Sequence, residues 1–150
     1  MLRAERDSGS PNGDLINNII KEGKIVPVAI TCGLIKKAME LHGWEAKKYL
    51  VDGFPRNEDN YIGWEQVMAG SVDVAAVIWF DADEQVMTDR ILARAATSGR
   101  NDDNIETLKK RFVNFREEQM PIIQRFIEQG KCVKIDAVST PDAVFESLLT

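Results

Sequence analysis

A chain of 150 residues, 44% hydrophobic and 29% charged, is long enough to bury one core and too apolar to be a disordered segment. A net charge of −5 argues against nucleic acid or an anionic membrane as the main partner. No apolar run reaches the length of a membrane span, and the charged start at Arg3, Glu5, Arg6 and Asp7 is no signal peptide, so an intracellular protein is expected.

Leu15, Ile16, Ile19 and Ile20 recur at helical spacing over residues 13–22, with Gly23 as the stop. Pro27 suits a first helical turn. Ile30, Leu34, Ile35, Ala38 and Leu41 then predict a second helix over 28–41, ended by Gly43, with His42 exposed near its end. Tyr49-Leu50-Val51 reads as a short buried strand that Gly53 and Pro55 forbid from continuing. A helix over 59–68 follows. The apolar run 74–80, closed by Asp81, predicts a strand buried on both faces of a parallel sheet. Val86, Met87, Ile91 and Leu92 predict a helix over 83–96. After Gly99, either Asn104 or Asp103 caps a long helix that carries Leu108, Phe112 and Phe115 on one side. Pro121 kinks or restarts that helix before its stop at Gly130. A strand over 133–135 and a helix opened by Thr140-Pro141-Asp142 complete the order. Strand, helix, strand, helix, strand, helix predicts an α/β fold with a parallel sheet and right-handed crossovers. Glycines recur at 13, 23, 33, 43, 53 and 63, but their neighbours do not repeat, so no repeat architecture is indicated.

Asp52-Gly53-Phe54-Pro55-Arg56-Asn57 sets a carboxylate and a guanidinium four residues apart at the end of a predicted strand, the edge where open α/β sheets bind ligands. The acid can hold a metal through water, and the arginine can grip phosphate oxygens in pairs. Arg94, Arg100, Lys109, Lys110 and Arg111 gather positive charge downstream, the two lysines reading as a solvated helix face. Cys32 and Cys132, with a single histidine in the chain, form neither a C-x-x-C metal site nor a disulfide framework, and both are expected reduced and partly buried. The phosphate-cradling pattern G-x-x-x-x-G-K-[ST] does not occur. Only Gly23-Lys24 and Gly130-Lys131 pair these residues, without a glycine five positions earlier or a hydroxyl residue after the lysine.

That loop and its continuation Glu58-Asp59-Asn60 and Gly63-Trp64 do not stand alone. Leu2-Arg3, Glu22-Gly23-Lys24-Ile25-Val26-Pro27-Val28, Arg94, Ser98-Gly99-Arg100-Asn101-Asp102-Asp103-Asn104, Lys109-Lys110-Arg111 and Val133-Lys134-Ile135-Asp136-Ala137 accompany it. In this order the sequence resembles the nucleoside monophosphate kinases, and among them the UMP-CMP kinases, over essentially its whole length. The resemblance implies a doubly wound parallel sheet of the P-loop kinase type. The fold would be incomplete at the amino terminus, where the family carries its central strand and phosphate loop. One domain over 1–150 is expected, with acceptor-binding helices over about 1–43 and a short lid over about 94–104.

The activity implied is transfer of the ATP γ-phosphoryl group to UMP or CMP with Mg2+, in the cytoplasm and also the nucleus, by a chain that is a monomer when complete. By the same resemblance, Arg3 and Arg56 contact the acceptor monophosphate beside Gly53, Phe54 and Pro55, while Lys24, Ile25 and Val26 line the acceptor pocket. Asn60 reads the base, since a side-chain amide offers a donor and an acceptor that match uracil and, once flipped, cytosine. Arg100 and Arg111 join Arg56 as catalytic arginines at the transferring phosphoryl, Arg94 and Ser139 lie on the ATP side, and Asp52 holds a magnesium-bound water. Ala95 stands where the family has glycine, and Ser139 where it often has lysine. Asn57, Asp102 and Asp103 are equally readable as helix caps. An adenylate kinase and a non-catalytic nucleotide-binding module are the competing readings.

Overall fold

The computed structural model describes residues 1–44, 48–100 and 102–149; Asn101, within the predicted lid, lies outside them. The chain divides into two compact units, Met1–Asp73 and the residues from Val74 onward.

The first unit is helical: α1 (Leu2–Asp7), α2 (Gly13–Lys21), α3 (Val28–His42) and α4 (Glu58–Met68). α2 and α3 follow the predicted apolar periodicities, and α1 is an addition to them. α1 and α2 approach so closely that a Cβ on Gly13 would lie 2.8 Å from the Arg6 carbonyl oxygen. The α3–α4 crossing is tighter still, because a Cβ on Gly63 would fall 2.2 Å from a methyl of Val28. Below that crossing Ile35, Met39 and Met68 form the core, with Trp44, Tyr49, Val51, Phe54, Trp64 and Val72 packed around it. His42 is exposed at the last position of α3, as expected.

The strand expected over 49–51 is not one. The segment keeps the two-residue alternation, with Tyr49 and Val51 against the core and Leu50 95% exposed. It has no sheet neighbour among the described residues, and an extended segment becomes a strand only through a ladder partner. Instead, the Tyr49 hydroxyl ties it to α3 by donating to the carbonyls of Met39 and Gly43.

In the second unit β1 (Val77–Asp81) and β2 (Cys132–Asp136) form a two-stranded parallel sheet in the register Val77 with Cys132 through Asp81 with Asp136. Between them run α5 (Glu84–Ser98), α6 (Ile105–Asn114), a π-helical turn (Phe115–Gln119) and α7 (Met120–Glu128), and α8 (Pro141–Leu149) follows β2. The parallel order is as predicted; the sheet has two strands among the described residues where three were expected. β1 starts at Val77 and is not buried on both faces. Ile78 and Phe80 are 41% and 51% exposed, on the face of the pleat opposite to the half-buried Val77 and Trp79.

Asn104, and not Asp103, caps α6: its side-chain oxygen accepts from the Thr107 N–H at 2.9 Å. The predicted break at Pro121 takes the form of the π turn, in which the Met120 N–H reaches back five residues to the Phe115 carbonyl, and α7 restarts with the proline in its first turn. Thr140 caps α8 as expected, its hydroxyl accepting from the Ala143 N–H at 3.4 Å. Cys32 is buried and Cys132 half-buried, both free. Burial pushes both thiols above their ordinary range, so neither is a ready thiolate nucleophile.

Candidate functional site

Gly53 turns the chain after Asp52 with a φ of +69°, a conformation that an L side chain rarely adopts. Phe54 then faces inward on Trp64, ring centroids 5.5 Å apart, and the peptide bond before Pro55 is cis. Asp52 and Arg56 remain exposed on the outer side. Arg56 is secured at two points: its Nε donates to the Gly53 carbonyl at 2.6 Å, and its backbone N–H donates to Asn60 Oδ1 at 3.3 Å. Asn57 caps α4, its side-chain oxygen accepting from the Asn60 N–H at 2.9 Å. Asn60 itself is 2% exposed. Asp52, Gly53, Phe54, Pro55, Arg56 and Asn60 thus form one compact element, a turn locked to the first turn of a helix.

The other expected acceptor residues of this unit differ in exposure. Val26 is buried and Ile25 half-buried before α3, while Lys24 is exposed and paired with Glu22 at 2.7 Å. Arg3 is half-buried on α1. The Arg6 guanidinium, reinforced by the charge of Arg3, holds the Asp7 carboxyl below the usual carboxylate range.

In the second unit, an arginine–carboxylate cluster closes the turn after α5. Arg94 grips Asp103 bidentately, Nε to Oδ2 at 2.9 Å and Nη2 to Oδ1 at 2.7 Å. Ser98 Oγ donates to the same carboxylate at 2.7 Å and accepts from the Arg100 N–H at 3.2 Å. Arg111 reaches back from α6 to Asp102. Both aspartate side chains are fully buried, and both arginines remain partly open to solvent. The hydrogen bond from Arg94 lowers the Asp103 carboxyl to about 2, with Ser98 and the charge of Arg100 assisting against the cost of burial; the same contact raises Arg94. Asp102 and Asp103 are therefore ion-pair partners and not caps. Arg100 is exposed, as are Lys109 and Lys110.

Ser139 is met by Arg90 and not by Arg94. Arg90 donates to the carbonyls of Ala137 at 2.6 Å, Val138 at 2.7 Å and Ser139 at 2.9 Å. A cavity of about 580 Å³ adjoins it, lined also by Thr140, Pro141 and Val144. Sequence reading overlooked Arg90, although its position one helical turn before Arg94 on the same face of α5 was the available signal.

Among the described residues no three His, Cys, Asp or Glu side chains could jointly hold a metal ion, and no helix is long and apolar enough to cross a membrane. Asp52 stands as a single exposed carboxylate, which fits a metal carried mainly by phosphate and water.

Residues 1–131 match the family model for adenylate kinase. The chain is 45% identical over 153 residues to a UMP-CMP kinase of Gallus gallus, covering 99% of this chain and 78% of that protein. It is 48% identical to a UMP-CMP kinase of Danio rerio, over 97% of this chain and 76% of the other. UMP-CMP kinase 3 of Arabidopsis thaliana matches at 46%, over 99% and 70% respectively. A family match across most of the chain, with relatives this similar over nearly all of it, means that the chain belongs to the adenylate kinase family.

Proposed function

We propose that the chain serves ATP-dependent phosphoryl transfer to a pyrimidine nucleoside monophosphate, UMP or CMP, with the loop over residues 52–60 as the acceptor site. The observation that carries the reading is Arg56: an exposed guanidinium tied at its root to Gly53 and Asn60, beside the exposed carboxylate of Asp52. Phosphoryl transfer asks mainly for alignment and charge neutralisation, and a preset guanidinium supplies both to the acceptor phosphate. Arg3 adds a second positive group, and Lys24, Ile25 and Val26 border the acceptor pocket.

Asn60 is the base reader in this account. Its Oδ1 is held by the Arg56 backbone, so the amide nitrogen is the atom presented as donor, and uracil and cytosine both carry acceptors on their edges. At 2% exposure its amide is almost out of water, so a base that bonds to it gives up hydration at that edge. Arg100, in the short lid over about 94–104, and Arg111, on α6, act on the transferring phosphoryl. Ser139, with Arg90, borders the ATP side, and Arg94 acts there through Asp103. Asp52 would hold a Mg2+ ion through water; the ion's contribution is to offset charge on the nucleotide phosphates. A cytoplasmic and nuclear location and a monomeric complete protein belong to the same reading.

Isothermal titration with UMP and CMP tests it. One-site binding of both is expected, weakened about tenfold or more by Arg56→Ala, since a charge-assisted hydrogen bond is worth about 1.5–3 kcal/mol. Absence of binding, or equal binding by the variant, contradicts the assignment.

A further inference from the structure

We propose that Gly53 is a positioning residue that seats the Arg56 guanidinium for a phosphate dianion, an inference that rests on the reading of Arg56 as the monophosphate anchor. A left-handed turn alone would account for a glycine with a φ of +69°, but the surroundings of this glycine are specific. A Cβ placed on it would lie 2.7 Å from Arg56 Nη2 and 3.6 Å from Cζ and Nε, and these three guanidinium atoms are its nearest neighbours. The space left by the missing side chain is therefore filled by the arginine head itself. The head is fastened there by the Nε–H bond to the Gly53 carbonyl at 2.6 Å, while the Arg56 backbone is held from the other side by Asn60 Oδ1.

An arginine side chain loses much rotamer freedom when it binds phosphate, and presetting the planar fork removes that loss from the binding step. With Nε committed to the Gly53 carbonyl, the guanidinium can turn only about that bond, so the exposed edge it offers to a dianion is defined before the ligand arrives. A methyl or larger group at position 53 would displace Nη2 from its seat without touching any group that contacts a base.

Two substitutions separate the seat from the turn. Asn tolerates left-handed backbone better than most residues, so Gly53→Asn keeps the turn and fills the seat, whereas Gly53→Ala burdens both. Affinities of the full chain for UMP and for uridine, measured by NMR titration, isolate the phosphate's share. Both variants are expected to lose about tenfold or more for UMP while uridine changes less than about twofold, and Gly53→Asn combined with Arg56→Ala should bind UMP no more weakly than Arg56→Ala alone. Unchanged UMP binding by Gly53→Asn, parallel loss of UMP and uridine, or additive losses in the double variant would overturn the seat while leaving the Arg56 assignment standing. If Arg56→Ala itself does not shift the UMP-to-uridine ratio, the monophosphate reading falls and this inference with it. In the wild type, the Arg56 Nε–H should be protected from exchange and show a nuclear Overhauser effect to the Gly53 α-protons; its absence would overturn the seat even where a variant fails to fold.

Discussion

At the scale of single residues, the tightest constraint in the first unit is Gly63. Its missing side chain lets Val28 pack directly onto α4, and a Cβ there would also come within 3.2 Å of two further Val28 carbons. Because Val28 is β-branched and cannot swing aside freely, Gly63→Ala should destabilise by about 1–3 kcal/mol, the usual cost of overpacking. Urea unfolding should show recovery of most of that loss in Gly63→Ala with Val28→Ala; no recovery would place the strain elsewhere. The arginines of the second unit divide in the same way. Arg111→Ala removes an ion pair from the buried Asp102 carboxylate and should cost about 1–3 kcal/mol, while Arg100→Ala, at an exposed position, should stay within about 0.5 kcal/mol by thermal unfolding. Much of the site was legible at this scale: the acid, the glycine and the arginine of the 52–60 loop carry a chemistry that residue types announce. The partners of Arg90 were not, because they are three backbone carbonyls, and carbonyl positions leave no trace in a sequence.

Among the elements, the helices and two of the three expected strands are found, and the strand over 49–51 is not, for a physical reason. A helix satisfies its hydrogen bonds locally, so the apolar spacing over 13–22 and 28–41 sufficed to place α2 and α3. A strand depends on a partner distant in sequence, so the apolar run at 49–51 could suggest a buried strand where neither the ladder nor the burial of Leu50 is formed. The turn between α5 and α6 depends on charge rather than pattern. Asp103 has a folded-state carboxyl held near 2 against an ordinary value of 3.8, so its ion pair adds stability that is complete above the ordinary value and is lost as pH falls through about 2. A carboxyl-detected NMR titration should place Asp103 near that folded value, and Arg94→Ala should raise it, since the Arg94 hydrogen bond is the largest cause of the depression. An unchanged titration in the variant would mean that Ser98 and the turn backbone set the value.

For the whole molecule, family membership and the α/β order agree, and the number of strands is where sequence and structure part. Two paired strands leave Ile78, Phe80 and Val133 between 41% and 51% exposed, which local pattern alone would have buried. Since no G-x-x-x-x-G-K-[ST] segment occurs in these 150 residues, turnover is an indirect readout for this polypeptide, and nucleotide binding reports on the acceptor site itself. The central claim is that this site accepts a pyrimidine monophosphate through Arg56 and Asn60. The measurement that tests it most directly is the dissociation constant of UMP, CMP and AMP for the wild type and for Asn60→Ala, by isothermal titration under one set of conditions. Wild type should prefer UMP and CMP to AMP. Asn60→Ala should lose about 1–3 kcal/mol more for the pyrimidines than for AMP, roughly five- to 150-fold in preference, because the Asn60 contact to the Arg56 backbone is lost to all three nucleotides and the base-edge partner to the pyrimidines. A wild type that binds AMP more tightly than UMP, or an Asn60→Ala variant with the pyrimidine preference intact, would contradict the account.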